Sequence, residues 1–166
     1  DMRDFANGRT NGTPIRQLVE EGIVKGRNVY NIGLHGFYNA PSLIEAATTH
    51  GINIITLKEM RKNGASHTIS HVFEQLARNV DIVYITVDID VLDIAYAPGV
   101  PSATPGGMRS DELFELLFEV GKHNIAAIDF VCIDPLRDVA MQTVKATTYS
   151  YLTFIASTYM HHFRDK

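Results

Sequence analysis

No apolar run in the 166 residues approaches the ~20 needed to span a bilayer, and no basic-then-apolar leader opens the chain. A membrane anchor and a secretory signal are therefore not expected. Cysteine occurs once, at Cys132, which rules out an intrachain disulfide framework or a Cys-based zinc cluster. A reducing, cytoplasmic setting is the expectation. A basic excess is missing too: 15 Lys and Arg stand against 19 Asp and Glu, a formal net charge of −4. Binding nucleic acid by phosphate neutralisation needs a basic face or tail, so that class is set aside. Internal repeats, low-complexity tracts and linkers are also missing. What is present is 45% hydrophobic and 20% charged, enough for one domain over residues 1–166.

Short β-rich runs alternate with helical patterns. Strands are predicted over 28–34, 52–56, 82–88 and 125–133, the last two apolar on nearly every residue, as central parallel strands covered on both faces would be. Ile69, Val72, Phe73, Leu76, Ala77 and Val80 share one helical face. A further helix is expected from Ser110 as cap, with Asp111 and Glu112 at its positive end and Leu113, Leu116, Leu117 and Val120 as its buried stripe. Pro14 suits the first turn of a short helix, and 140–162 reads as a terminal helix. The order predicts an α/β layered fold with a mainly parallel sheet.

The strongest chemical signal is Thr86-Val87-Asp88-Ile89-Asp90-Val91-Leu92-Asp93, at the end of an apolar strand. Residues two apart on a strand project together, so Asp88 and Asp90 would leave the carboxyl end of the sheet side by side. Such a pair repels itself unless a cation sits between or one carboxyl keeps its proton. Divalent metal ions would meet that demand. The competing reading is that these acids simply end the strand and cap the loop. A long Pro- and Gly-containing loop follows, from Ile94 to Met108.

The run VDIDVLDIAYAPGVPSATPGGM resembles the signature of the arginase, agmatinase and formimidoylglutamase family, the ureohydrolases. Asn11-Gly12-Thr13-Pro14 is similar to a short turn that follows the family's Asp-x-His-x-Asp metal motif, which would place Asp1 at that motif's last Asp. The resemblance implies a three-layer α/β/α sandwich, of which residues 1–166 would be the C-terminal part. It implies two Mn²⁺ ions in a full active site, with Asp1, Asp88 and Asp90 as the metal ligands retained and the remaining ligands lying before Asp1. Asn31-Ile32-Gly33-Leu34-His35-Gly36-Phe37-Tyr38-Asn39 and the Asn11 turn look most like the formimidoylglutamase branch. The implied reaction is hydrolysis of N-formimidoyl-L-glutamate to L-glutamate and formamide, in histidine degradation. Asn11 is taken as a catalytic position, and Arg9, His35 and Cys132 as substrate-facing ones.

One departure stands out. Ile128-Asp129-Phe130-Val131-Cys132-Ile133-Asp134-Pro135 resembles a family run in which a Glu usually stands at the Cys132 position. A thiol supplies no carboxylate at neutral pH unless its pKa is strongly depressed. Two rival readings follow: an agmatinase or other guanidine hydrolase with the same metals, and a non-catalytic α/β module that has lost the site. His35 is equally a substrate contact or a turn histidine, and Arg9 equally a carboxylate clamp or a surface charge. Asp93 is assigned to loop support. His67 and His71 read as a solvated helix start, and His161 and His162 as part of a charged tail. The partner expected is a small-molecule substrate, with self-association or a missing N-terminal half along the cut edge.

Overall fold

A computed structural model describes residues 2–164. In chain order it contains α1 (Pro14–Glu20), β1 (Tyr30–Leu34), α2 (Pro41–Thr49), β2 (Asn53–Thr56), α3 (Leu57–Asn63), α4 (Ala65–Leu76), β3 (Tyr84–Asp88), α5 (Ser110–Val120), β4 (Ala127–Val131) and α6 (Gln142–His162). The four expected strands all form. Among the described residues no helix is long and apolar enough to cross a membrane.

Two helices come in addition to those expected. Pro41 opens α2. Thr56 opens α3 through a reciprocal cap: its hydroxyl accepts the Glu59 N–H at 3.2 Å, and Glu59 accepts the Thr56 N–H at 2.8 Å. Thr-x-x-Glu before a helix is a readable signature of this cap. α4 ends at Leu76, so Ala77 and Val80 lie beyond the helix on which they were placed.

Ser110 is the first helical residue of α5 and not its cap. The helix start is held instead by Glu112, which reaches back to accept the N–H of the capping residue, Arg109, at 2.8 Å. Likewise α6 starts two residues later than expected. Ala140 and Met141 hold φ of +52° and +59°, and Asp138 accepts the Thr143 and Val144 N–H groups at 2.9 and 3.0 Å. A carboxylate on two backbone donors fixes that start.

The strands pair in parallel, β1 with β2 and β3 with β4, but among the described residues they form two two-stranded sheets and not one. The pairs meet through side chains. Gly33 in β1 has φ +97°, and a Cβ there would lie 2.6 Å from Val91 Cγ2. Leu57, Met60, Ile69, Val87, Ile89, Leu92, Met108, Leu113, Leu117 and Phe154 form one core that both pairs share, with Ile89, Leu92 and Met108 fully enclosed.

α6 turns small polar residues inward. Thr143, Thr147, Ser150 and Ser157 are buried with Phe154, and Ser157 Oγ donates to Phe118 O at 2.6 Å. The small face lets α5 and α6 approach closely, and a Cβ on Gly121 would lie 2.8 Å from Phe154 O. His161 packs edge-on against Phe118 at 5.9 Å, so it belongs to this contact and not to a free tail.

Candidate metal and substrate site

The apolar run of β3 ends at Asp88, and the chain bends at once into a 3₁₀ turn, Ile89–Val91. Ile89 anchors the turn in the core, and Asp88 Oδ1 accepts the Asp90 N–H at 3.0 Å. Asp88 and Asp90 therefore stand together because of this turn, not through strand alternation. Ser102, in the long loop, donates its hydroxyl to Asp90 Oδ2 at 3.1 Å.

The pairing of β3 with β4 sets the other neighbour. Asp88 lies opposite Val131, so the next residue, Cys132, comes beside the carboxylate. Its Sγ donates to Asp88 Oδ2 at 3.3 Å, with the backbone at φ +70°. Burial, the hydrogen bond to Asp88 and the charges of Asp88 and Asp90 push the thiol up to about 12. At neutral pH it is a neutral donor. The Asp90 carboxyl is pushed up to about 6, first by burial and then by the charge of Asp88.

His35 follows β1 and sits within electrostatic reach of Asp90. Its Nδ1 lies 3.0 Å from Gly33 O, and its Nε2 lies 3.5 Å from Thr104 Oγ1. A carbonyl only accepts, so Nδ1 carries the proton in the neutral ring and Nε2 accepts from Thr104.

Asp93 ties the loop down. Its carboxylate accepts the Ala95 N–H at 2.8 Å and the Gly106 N–H at 2.6 Å, and these two donors hold it below the usual carboxylate range. Leu92 and Met108 bridge in parallel beside it. A Cβ on Gly107 would fall 2.4 Å from the Asp93 nitrogen, so the loop can close only with glycine there.

The structure thus gathers Asp88, Asp90, His35 and Cys132. Arg9 is placed otherwise: it is exposed and ion-paired with Glu21 at 2.7 Å. Asn11 is exposed in the turn before α1. No hydrogen bond or ion pair joins either to the carboxylates among the described residues. Asp1 lies outside those residues. His67 and His71 stack at 6.5 Å on α4, where they line an open cleft of about 590 Å³ with Tyr30, Glu59 and Gln75. Ser102 and Thr104 carry no signal in the sequence, because only the fold of the loop brings them to Asp90 and His35.

Two carboxylates on one turn are hard oxygen donors of the kind manganese takes. They fit as part of a ligand set. Among the described residues no group of three or more His, Cys, Asp or Glu side chains is arranged to hold a metal ion.

The model of the arginase family matches residues 1–156. The chain belongs to the arginase family. Formimidoylglutamase from Halalkalibacterium halodurans is 35% identical over 157 residues, covering 93% of this chain and 49% of the relative. The crystal structure of formimidoylglutamase from Bacillus subtilis superposes with a TM-score of 0.92 at 33% identity, covering 98% of this chain and 51% of that one. Formiminoglutamase from Trypanosoma cruzi, solved with Mn²⁺, shares the fold at a TM-score of 0.84 and 24% identity, over 95% of this chain and 52% of that one. The arginase-type α/β fold expected from sequence is thus present. This arginase-family chain spans about half the length of the curated relatives it matches.

Proposed function

We propose that this chain supplies the carboxylate part of a manganese-dependent formimidoylglutamase, which hydrolyses N-formimidoyl-L-glutamate to L-glutamate and formamide as a step of histidine degradation. The observation that carries the reading is the Asp88–Asp90 pair on the turn after β3, in a chain 35% identical to two formimidoylglutamases. Asp88 and Asp90 would hold the metal, with Asp1 as a third carboxylate. A manganese ion held by these carboxylates would supply Lewis-acid activation of water at neutral pH.

The chain's own groups have separable tasks. The Asp90 N–H and the Cys132 thiol fix both oxygens of Asp88. Ser102 orients Asp90. His35, held by Gly33 O and Thr104, faces the substrate from the end of β1. Asn11 is assigned a catalytic position and Arg9 a substrate-facing one. For Arg9 that role requires release from Glu21. The 166 residues alone are expected to be inactive, since an isolated carboxylate set without its remaining ligands holds metal poorly.

A substrate panel on the intact gene product, loaded with manganese, tests the reading. Turnover of N-formimidoyl-L-glutamate in preference to agmatine and arginine is expected. Agmatine as the sole substrate would replace it with a guanidine hydrolase, and no turnover of any amidine would leave the non-catalytic module.

A further inference from the structure

Among the described residues, every non-glycine residue with a positive φ lies between the end of β4 and the start of α6: Cys132, Ala140 and Met141. Such residues carry backbone strain that persists only where the surroundings over-determine it. At one end of this stretch the Cys132 thiol meets Asp88. At the other, the left-handed pair delivers Gln142 and Thr143 to the loop that follows Asp93. The Gln142 side-chain amide donates to Ala95 O, and Thr143 Oγ1 accepts the Gly99 N–H at 2.7 Å.

Thr143 is fully buried, and Gly99 is held on several sides. The Gly99 carbonyl accepts the Asp134 N–H at 2.8 Å, and a Cβ on Gly99 would lie 2.7 Å from Asp138 Cβ. One glycine therefore joins the loop, the segment after Cys132 and the start of α6. From there the step to the carboxylates is short and stiff. Val100 and Ala103 are buried, and the Ala103 N–H donates to Val100 O at 3.3 Å, closing a turn over Pro101 and Ser102. Proline fixes its own φ in that turn. Ser102 then gives its hydroxyl to Asp90 Oδ2 at 3.1 Å.

We propose that Thr143 is a positioning residue of the candidate metal site: by holding Gly99 it sets the loop whose Ser102 orients Asp90 beside Asp88. Any buried amide needs an acceptor, so the bond alone would serve a purely structural purpose. What sets it apart is its place, on the one glycine tied both to the Ser102 turn and to the segment that carries Cys132. The proposal rests on the manganese reading above and adds to it a residue with no hydrogen bond to either carboxylate.

The test uses the intact gene product and two readouts: manganese titration followed by the paramagnetic resonance of the free ion, and amide exchange of residues 94–104 in the metal-free protein. Thr143→Val keeps the shape and removes the acceptor. It should weaken manganese binding about tenfold and speed exchange in the loop. Thr143→Ser, which keeps the hydroxyl, should restore both. Gln142→Ala, at an exposed position, should weaken manganese binding about threefold. Thr147→Val removes a buried hydroxyl that bonds only within α6, to Thr143 O, and should leave manganese binding unchanged. Manganese binding unchanged in Thr143→Val would overturn the proposal, as would a serine variant no better than the valine or an equal loss in Thr147→Val. Should the valine variant not fold, unchanged binding by Gln142→Ala overturns it equally. An unaltered gene product that takes up no manganese would break the proposed function itself, and leave Thr143 a structural tie.

Discussion

The Cys132 thiol donates to Asp88 Oδ2 at 3.3 Å, on the one strand pair whose register sets Val131 opposite Asp88. A residue 44 positions away in sequence therefore fixes a carboxylate of the candidate metal pair. Because the thiol is a donor, it takes up an oxygen of Asp88 without adding charge.

Cys132 should be a slow nucleophile although it is exposed. With the thiol pushed up to about 12, its thiolate fraction at pH 8 is far below that of a free cysteine. In the metal-free chain we expect iodoacetamide to modify it on the order of 100-fold more slowly than free cysteine at that pH. Asp88→Asn removes a neighbouring negative charge that opposes the thiolate, and should speed the reaction. Modification at the rate of free cysteine would contradict the hydrogen bond.

Glu112 joins three elements of the sequence: it takes both Arg61 Nε and Nη2 at 2.8 and 2.9 Å, and the Arg109 N–H. The hydrogen bond from Arg61 lowers its pKa. A depressed carboxylate stabilises the fold above its unfolded pKa and loses that contribution as pH falls through its folded value. Glu112→Gln should cost about 1 to 2 kcal/mol in urea unfolding at pH 7. The difference between the two proteins should shrink on acidification below the ordinary carboxylate range.

Gly121 marks a close approach of α5 and α6. Its φ of −63° is ordinary, so the demand for glycine is steric and not conformational. A Cβ would meet Ser157 Cβ at 2.7 Å and the Phe154 carbonyl at 2.8 Å. Gly121→Ala should lower stability by about 1 to 3 kcal/mol, the usual cost of overpacking. Thermal unfolding measures it, and an unchanged midpoint would mean the helices can separate freely.

Asp138 holds the start of α6 by accepting two backbone N–H groups after residues in the left-handed region. Asp138→Ala should cost about 1 to 2 kcal/mol, in the range of lost helix caps. Asp138→Asn, which keeps an acceptor oxygen, should recover much of it.

Strand positions were legible because β-branched and apolar runs separated by Gly and Asn announce themselves locally. Asp88 and Asp90 were legible as a pair for the same reason, although the turn and not the pleat brings them together. The contacts of Ser102, Thr104 and Cys132 were not, because each depends on a loop path or a strand register that joins distant residues. The cap of α5 was misplaced for a different reason. Ser110 has the right chemistry, but the helix and its cap begin one residue earlier, where Glu112 takes the Arg109 N–H and is held in place by Arg61, a partner from α3.

The central claim is that Asp88 and Asp90 form part of a two-manganese site in a longer hydrolase. The most direct measurement is the intact mass of the native gene product, with manganese quantified in it and in the 166-residue chain. A product longer than 166 residues carrying about two manganese ions per chain is predicted, with little metal on the shorter one. A native product of 166 residues that binds no manganese would contradict the claim.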